Sequence, residues 1–314
     1  MKAFSKEHNI FVNLTKKVVV AKNKDELDGI YELQRRAEIN GVETKIIDED
    51  ELSKIDSNIK TYKKALYSPT TASVNPKEVC YKLKDVLINS GIDFYFNTPL
   101  EKLDITYKYL INSAGAYADK IAKKFGLAKK YTMLPFKGIY LKYMENKIDI
   151  KTNIYPVPNL ANPFLGVHYT VTVNGNIKIG PTAIPAFWRE NYQGFKNFNL
   201  NEMIEILYYE FKLFILNSFN FRNLAISEVK NYNRKFFVQQ AKNMVKKVGN
   251  DFKPIPEGIR AQLLDTNSNE LVQDFIIEKT ENSIHILNAV SSAFTYSFAF
   301  AEYVVGQIKN KEIK

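Results

Sequence analysis

A chain of 314 residues with 45% hydrophobic and 25% charged residues can bury a large core, shared by two domains, and its composition excludes disordered and fibrous classes. A single cysteine excludes an internal disulfide framework and suits a reducing, cytoplasmic compartment. The formal charge of +10 admits nucleic acid, an anionic membrane surface or anionic substrates. The lysines are scattered, however, and runs such as Lys129-Lys130 and Lys246-Lys247 are too short for a nucleic-acid patch, so no nucleic-acid partner is expected. The start, MKAFSKEHN, has no apolar signal-peptide core. The most apolar windows, around Ile204 to Phe219 and Ala289 to Val305, are interrupted by polar residues, so neither reads as a membrane span.

In chain order, Lys17 to Ala21 (KVVVA) reads as a buried strand. A helix follows from Asn23, with a capping-box pattern at Asn23 and Glu26, an apolar face of Leu27, Ile30, Tyr31 and Ala37, and Gly41 past its end. Lys45 to Ile47 predicts a short strand, and Asp48 with Glu51 opens another capped helix. Leu66 to Val74 reads as irregular extended chain. The next helix has Asn75 as cap, Pro76 at the first position, Glu78 at the third and Gly91 after its end. Its stripe is Val79, Leu83, Val86 and Leu87, with Cys80 placed on the apolar side. Ile92 to Phe96 predicts a strand. Tyr109 to Gly126 (YLINSAGAYADKIAKKFG) predicts strand, small-residue turn and helix, which belongs to an α/β layer.

After Gly126 the pattern alternates. Ile139 to Tyr143, Asn153 to Val157, Leu165 to Val173 and Asn176 to Gly180 predict strands, and Asn174-Gly175 predicts a type I′ hairpin turn. Asn199 to Phe219 reads as an aromatic-rich helix, and 221–249 as helical in parts. From Gly258 the chain returns to α/β character. Two interleaved domains follow, one from 75–126 plus 255–314 and the other from 10–74 plus 127–254. No group of His, Cys and carboxylates has metal-ligand spacing, and no hydrolase triad is evident.

Several blocks carry a family resemblance: the SAG turn, MLPFKGIYL (133–141), NIYPVPNLANPFLGVHYT (153–170), IGPTAIPAFWRENY (179–192), GIRAQLLD (258–265) and ILNAVSSAFTYSFAFAEY (286–303). With them the chain resembles the D-amino-acid-oxidase superfamily of FAD-dependent oxidoreductases, and within it the L-2-hydroxyglutarate oxidase or dehydrogenase group. The resemblance implies a Rossmann-like FAD-binding domain, here incomplete, interleaved with a mixed-sheet substrate domain: α/β plus α+β. It implies FAD as cofactor, a small 2-hydroxy acid as substrate, and electrons passed to oxygen or to a membrane acceptor, with the protein cytoplasmic or peripheral at the inner face of the membrane.

Three features depart from the family pattern. None of the 13 glycines stands two residues from another, so G-x-G-x-x-G, which cradles the cofactor pyrophosphate, does not occur. The expectation is a truncated member, lacking a βαβ unit of roughly thirty residues or more. The alternatives are an inactive remnant, or one part of a split flavoenzyme whose N-terminal unit is a separate polypeptide. The stretch from Asn97 to Lys108 is short. The final helix carries Phe294, Tyr296 and Phe300 where the family favours small residues, either filling vacated volume or as ordinary core drift.

Oxidising a 2-hydroxy acid requires a carboxylate clamp, a base for the hydroxyl proton and a held α-carbon. By resemblance, Arg260 of GIRAQ is the clamp, its planar fork suited to a carboxylate; a salt bridge to Asp265 is the competing reading. His168 is the base candidate, with an ordinary pKa near 6.5. Alternation groups it with Thr170 and Thr172, opposite Val167, Tyr169, Val171 and Val173. Lys137 offers positive charge to flavin or to a second carboxylate, and Tyr155 a hydrogen bond to substrate or simple aromatic packing. His285 falls in a central strand. The resemblance places Ser113, Ala114 and Gly115, then Gly258 and Ile259, and Ser291 and Ser292 at the start of the final helix, beside the cofactor.

Overall fold

The computed structural model describes residues 1–145, 150–158, 164, 166–289 and 293–312. Its elements run, in chain order, α1 (Lys2–Glu7), β1 (Val12–Asn13), β2 (Lys17–Val20), α2 (Leu27–Ile39), β3 (Lys45–Asp48), α3 (Glu49–Ile55), β4 (Lys64–Ser68), β5 (Ser73–Val74) and α4 (Pro76–Asn89). There follow β6 (Leu110–Asn112), α5 (Ala118–Lys124), β7 (Tyr131–Tyr143), β8 (Asn153–Pro156), β9 (His168–Val171), β10 (Ile177–Gly180) and β11 (Ile184–Pro185). The chain ends with α6 (Leu200–Leu216), α7 (Phe221–Lys230), α8 (Arg234–Lys242), β12 (Phe252–Asp265), β13 (Glu270–Leu271), β14 (Ile276–Lys279), β15 (Ser283–Asn288) and α9 (Ala293–Glu312). The chain divides into two compact units, one of 1–11, 75–133 and 261–314, the other of 12–74 and 134–260.

The larger unit is built on a mixed sheet in the order β12-β7-β10-β9-β8-β2-β4-β3, with β11 beside β7. Its inner face is apolar because alternate residues of each strand are. Val18 and Val20 of β2, Ile154 of β8, Tyr169 and Val171 of β9, Ile177 and Ile179 of β10 and Leu141 of β7 join Leu52 of α3 and Phe237, Val238 and Ala241 of α8 in one buried cluster. Each such side chain contributes about 1.5–3 kcal/mol on burial, which holds the register of all these strands at once. The opposite face is covered at one end by α2, through Ile30 against Val19, Ala21 and Leu66. Gly29 permits that approach, since a Cβ there would lie 2.4 Å from Cγ1 of Val157.

The smaller unit has a three-stranded sheet, β14-β15-β6, in which β15 and β6 run parallel. Ala122 of α5, Met133, Leu263 and Leu287 pack into its core. Asn75 caps α4 and Pro76 opens it, as the sequence implies. Asp48 and Glu51 form a complete capping box on α3.

Four local expectations need correction. Ile92 to Phe96 is not a strand; it has no neighbouring strand among the described residues, and Ile92, Tyr95 and Phe96 are exposed. Cys80 is exposed, because one residue beyond buried Val79 turns 100° away from the stripe. The Asn174-Gly175 hairpin is tight but is not type I′. Asn174 keeps a negative φ, and only Gly175 is left-handed at +74°. Gly175 N–H donates to Thr172 O at 3.0 Å and Thr172 N–H to Asn176 O at 2.8 Å, a three-residue loop with glycine at its left-handed position. The helix predicted from Asn23 begins as a 3-10 turn, Lys24–Glu26, before α2, and the Glu26 carboxylate accepts from Lys22 N–H, not from its cap.

Candidate active site

The open part of the larger unit's second face is polar, and strand register assembles it. Gly180 of β10 pairs with His168 of β9, and Lys178 with Thr170. Ile154 of β8 pairs with Tyr169, which sets Tyr155 beside His168 and Asn153 beside Thr170. Lys17 of β2 pairs with Asn153, and Lys178 pairs with Lys142 of β7. Directly paired residues share a face, so two adjacent rows cross the sheet. One reads Lys17, Asn153, Thr170, Lys178, Lys142; the other Val19, Tyr155, His168, Gly180, Tyr140.

His168 is the centre of the second row and is buried. Its ring stacks on Tyr155, with centroids 3.9 Å apart and planes at 15°. Its Nδ1 lies 3.0 Å from Gly166 O. A carbonyl only accepts, so Nδ1 carries the proton and the neutral ring keeps a lone pair on Nε2. Burial, reinforced by the charges of Lys178 and Lys17, pushes the imidazole down to about 4. His168 is therefore a neutral base at pH 7. The Tyr155 phenol is pushed up by burial, against a hydrogen bond with Thr170.

Gly180 opens the row toward β7. Its φ is +139°, and a Cβ there would fall 2.6 Å from the Tyr140 ring and 2.7 Å from Ile139 O. The Tyr140 ring occupies the space a side chain would take. Lys178 Nζ stands 4.7 Å from the Tyr140 ring centre, and Lys17 Nζ 5.5 Å from that of Tyr155. Both ammonium groups are pushed down by burial.

Arg260, on β12, has its guanidinium 5.0 Å above the Phe164 ring. Its Nε is buried without a hydrogen-bond partner, and burial lowers its pKa while neighbouring Tyr140 opposes that shift. Asp265 is paired with Lys130 at 3.1 Å, so the competing reading of Arg260 as its salt-bridge partner does not hold. The guanidinium has no carboxylate partner among the described residues.

Lys137 is placed differently. Its Nζ is 3.3 Å from a Glu257 carboxylate oxygen, and three residues along β7 from Tyr140 alternation turns it to the other face. Gly258 and Ile259 precede Arg260 on β12 and are half-buried, with open space where a Gly258 Cβ would be. In the smaller unit, Ser113, Ala114 and Gly115 form the turn after β6; Ala114 N–H donates to Asn112 Oδ1 at 3.2 Å and Gly115 is left-handed at +55°. Asn112 Nδ2 also donates to His285 Nδ1 at 3.0 Å, leaving His285 Nε2–H for Ser283 at 2.9 Å, which makes His285 structural. Ser291 and Ser292 lie outside the described residues. Among the described residues no group of three His, Cys, Asp or Glu side chains could hold a metal. Sequence reasoning missed Lys17, Tyr140, Phe164 and Lys178; alternation signals the face of the three strand residues, but which strands adjoin is a long-range fact, and Phe164 lies outside any strand.

The chain matches the FAD dependent oxidoreductase (DAO) family over residues 1–307. It belongs to that family. It is 31% identical to a mitochondrial L-2-hydroxyglutarate dehydrogenase of Caenorhabditis briggsae, over 93% of this chain and 73% of that protein. It is 27% identical to the L-2-hydroxyglutarate dehydrogenase of Escherichia coli (strain K12), over 98% of this chain and 76% of that protein. Among solved structures it resembles FAD-bound L-α-glycerophosphate oxidase from Mycoplasma pneumoniae, at TM-score 0.65 and 16% identity over 94% of this chain and 73% of the other. Glycine oxidase from Bacillus cereus follows at TM-score 0.60 and 12% identity, covering 99% and 78%. The fold is the DAO fold, with mixed sheets and helices, and FAD is the family's cofactor.

The residues of this chain do not fit the phosphate end of FAD. Gly115 stands alone after β6, with no second glycine two residues away. The seven-residue helix α5 behind it is short, and its first-turn Asp119 is buried, accepting from Met133 N–H at 3.2 Å, so this turn offers no glycine-rich cradle for an anion.

Proposed function

We propose that this chain is the substrate-handling part of an L-2-hydroxyglutarate oxidoreductase, which converts L-2-hydroxyglutarate to 2-oxoglutarate. The observation that carries it is Arg260: a desolvated guanidinium without a carboxylate of its own, on the same sheet as a neutral buried histidine. An unpaired buried charge is costly, and a substrate carboxylate in bidentate contact relieves that cost. His168 Nε2 then accepts the hydroxyl proton, and the stack on Tyr155 holds the ring in place. Tyr155 and Tyr140 shield the reacting carbon from water. Lys137 is read as the partner of Glu257, which it holds beside the β12 stretch leading to Arg260. Gly258 and Ile259, with the turn at Ser113, Ala114 and Gly115 and with Ser291 and Ser292, are read as cofactor-side backbone. The test is calorimetric titration of the full chain with L-2-hydroxyglutarate. Arg260→Lys keeps the charge but loses the fork and should weaken binding roughly tenfold or more, on the scale of a charged hydrogen bond. Unchanged affinity would remove Arg260 from the site.

A second reading concerns the partner. β6 is an edge strand of its sheet among the described residues, and Ile111 on it is 46% exposed; a separate polypeptide bearing the glycine-rich βαβ unit could pair there. The localisation we infer is cytoplasmic, with α6 resting on a membrane surface. Ile204, Tyr208, Phe211 and Ile215 on that helix are each more than half exposed, a face suited to an interface. No helix among the described residues is long and apolar enough to cross a membrane. Sedimentation with anionic vesicles tests the attachment, and a chain left wholly in the supernatant would refute it.

A further inference from the structure

We propose that Lys17 and Lys178 form an anion subsite that takes the second carboxylate of a dicarboxylic 2-hydroxy acid and selects it over monocarboxylic analogues. This rests on the reading of Arg260 and His168 given above. The two lysines stand on β2 and β10, at opposite sides of the β8–β9 pair that carries Tyr155, His168 and Thr170. Three strand spacings separate their backbones, roughly 14 Å at about 4.8 Å each. Each side chain leans over an aromatic ring of the neighbouring row, Lys17 over Tyr155 and Lys178 over Tyr140. Both ammonium groups thus border the surface in front of His168.

Neither lysine has a carboxylate partner among the described residues, and the two rows hold Asn153, Thr170, Tyr155, Tyr140 and Lys142 but no acid. The ring contacts are the modest alternative explanation. Yet a neutral ring repays only part of the desolvation of an ammonium group, and both lysines are half-buried, which pushes their ammonium groups down. A partly desolvated cation without a counter-ion is suited to an anion. Arg260 supplies the fork for the carboxylate next to the reacting carbon. The lysines flank His168 from the adjacent row, Lys178 one strand to one side and Lys17 two strands to the other, and so border the space into which the second carboxylate of a short chain bound at His168 would extend. As flexible point charges they suit an end whose exact position does not control the chemistry. Their charges also add to burial, the main cause, in disfavouring the protonated form of His168.

The test uses the full chain and two probes without a hydroxyl, glutarate and butyrate, titrated by calorimetry. The wild type should bind glutarate more tightly than butyrate by about tenfold or more. Lys17→Met and Lys178→Met replace a partly desolvated cation with an apolar chain of similar length, and each should reduce that preference several-fold. The double variant should abolish it while leaving butyrate affinity within about twofold, and Lys178→Arg should restore most of it. Circular dichroism and thermal midpoints confirm that each variant is folded. Absence of a preference in the wild type would overturn the subsite. So would a preference that survives in a folded double variant, or a parallel loss of both probes. If the preference exists and depends on the lysines, but Arg260→Lys leaves both probes unaffected, the subsite stands and the hydroxy-acid reading falls.

Discussion

The protonation of His168 yields the sharpest quantitative expectation. Its imidazole lies at about 4 in the folded chain because burial and two neighbouring ammonium groups disfavour the charged ring, whereas an unfolded histidine titrates near 6.5. Between these values the unfolded state binds more protons, so stability rises with pH. The contribution is fully present above about pH 6.5, is lost progressively as pH falls, and is exhausted near pH 4. A gap of about 2.5 pH units corresponds to about 3 kcal/mol. His168→Gln removes the titration along with the ring stack on Tyr155. The variant should therefore be less stable than the wild type near pH 7.5, and the deficit should shrink by about 3 kcal/mol toward pH 4. Urea unfolding at a series of pH values measures the difference. Resonances of the His168 ring in a labelled sample give the pKa directly, and above that pKa the single ring proton should sit on Nδ1. An imidazole that titrates near 6.5, or whose proton sits on Nε2, would refute the assignment of His168 as a neutral base with a free Nε2.

Other perturbations follow from the same geometry. Gly180→Ala places a Cβ against Ile139 O and the Tyr140 ring at a φ of +139°; it should cost roughly 1–3 kcal/mol or more and disturb the Tyr140 fluorescence environment, and a variant of wild-type stability would contradict the packing. Glu210 on α6 has a buried carboxylate oxygen without a partner, and burial pushes its pKa up to about 8. Its folded form retains a proton that the unfolded form releases, so stability is lost as pH rises from about 4.5 to 8. Glu210→Leu should accordingly raise the thermal midpoint more at pH 9 than at pH 5. Asp48→Ala removes the cap of α3, where the side chain accepts from Glu51 N–H at 2.9 Å, and should cost about 1 kcal/mol in unfolding experiments.

Local chemistry was legible from the sequence. Asn75-Pro76 and the Asp48 and Glu51 pair open their helices because a cap satisfies backbone donors within four residues of itself. Alternation set His168 and Thr170 opposite Tyr169 and Val171 because the strand period is two whatever the partner. The spacing of the glycines excluded a pyrophosphate cradle within these residues, a property of order along the chain. Ile92 to Phe96 had the composition of a strand, but a strand exists only with a neighbour to take its hydrogen bonds. The site was decided in the same non-local way. That β2, β8, β9 and β10 adjoin in this order, from positions 17 to 180 in the chain, depends on one apolar face being buried against α3 and α8. Lys17, Tyr155, His168 and Lys178 meet on the other face as a consequence, and no period in the sequence encodes that meeting.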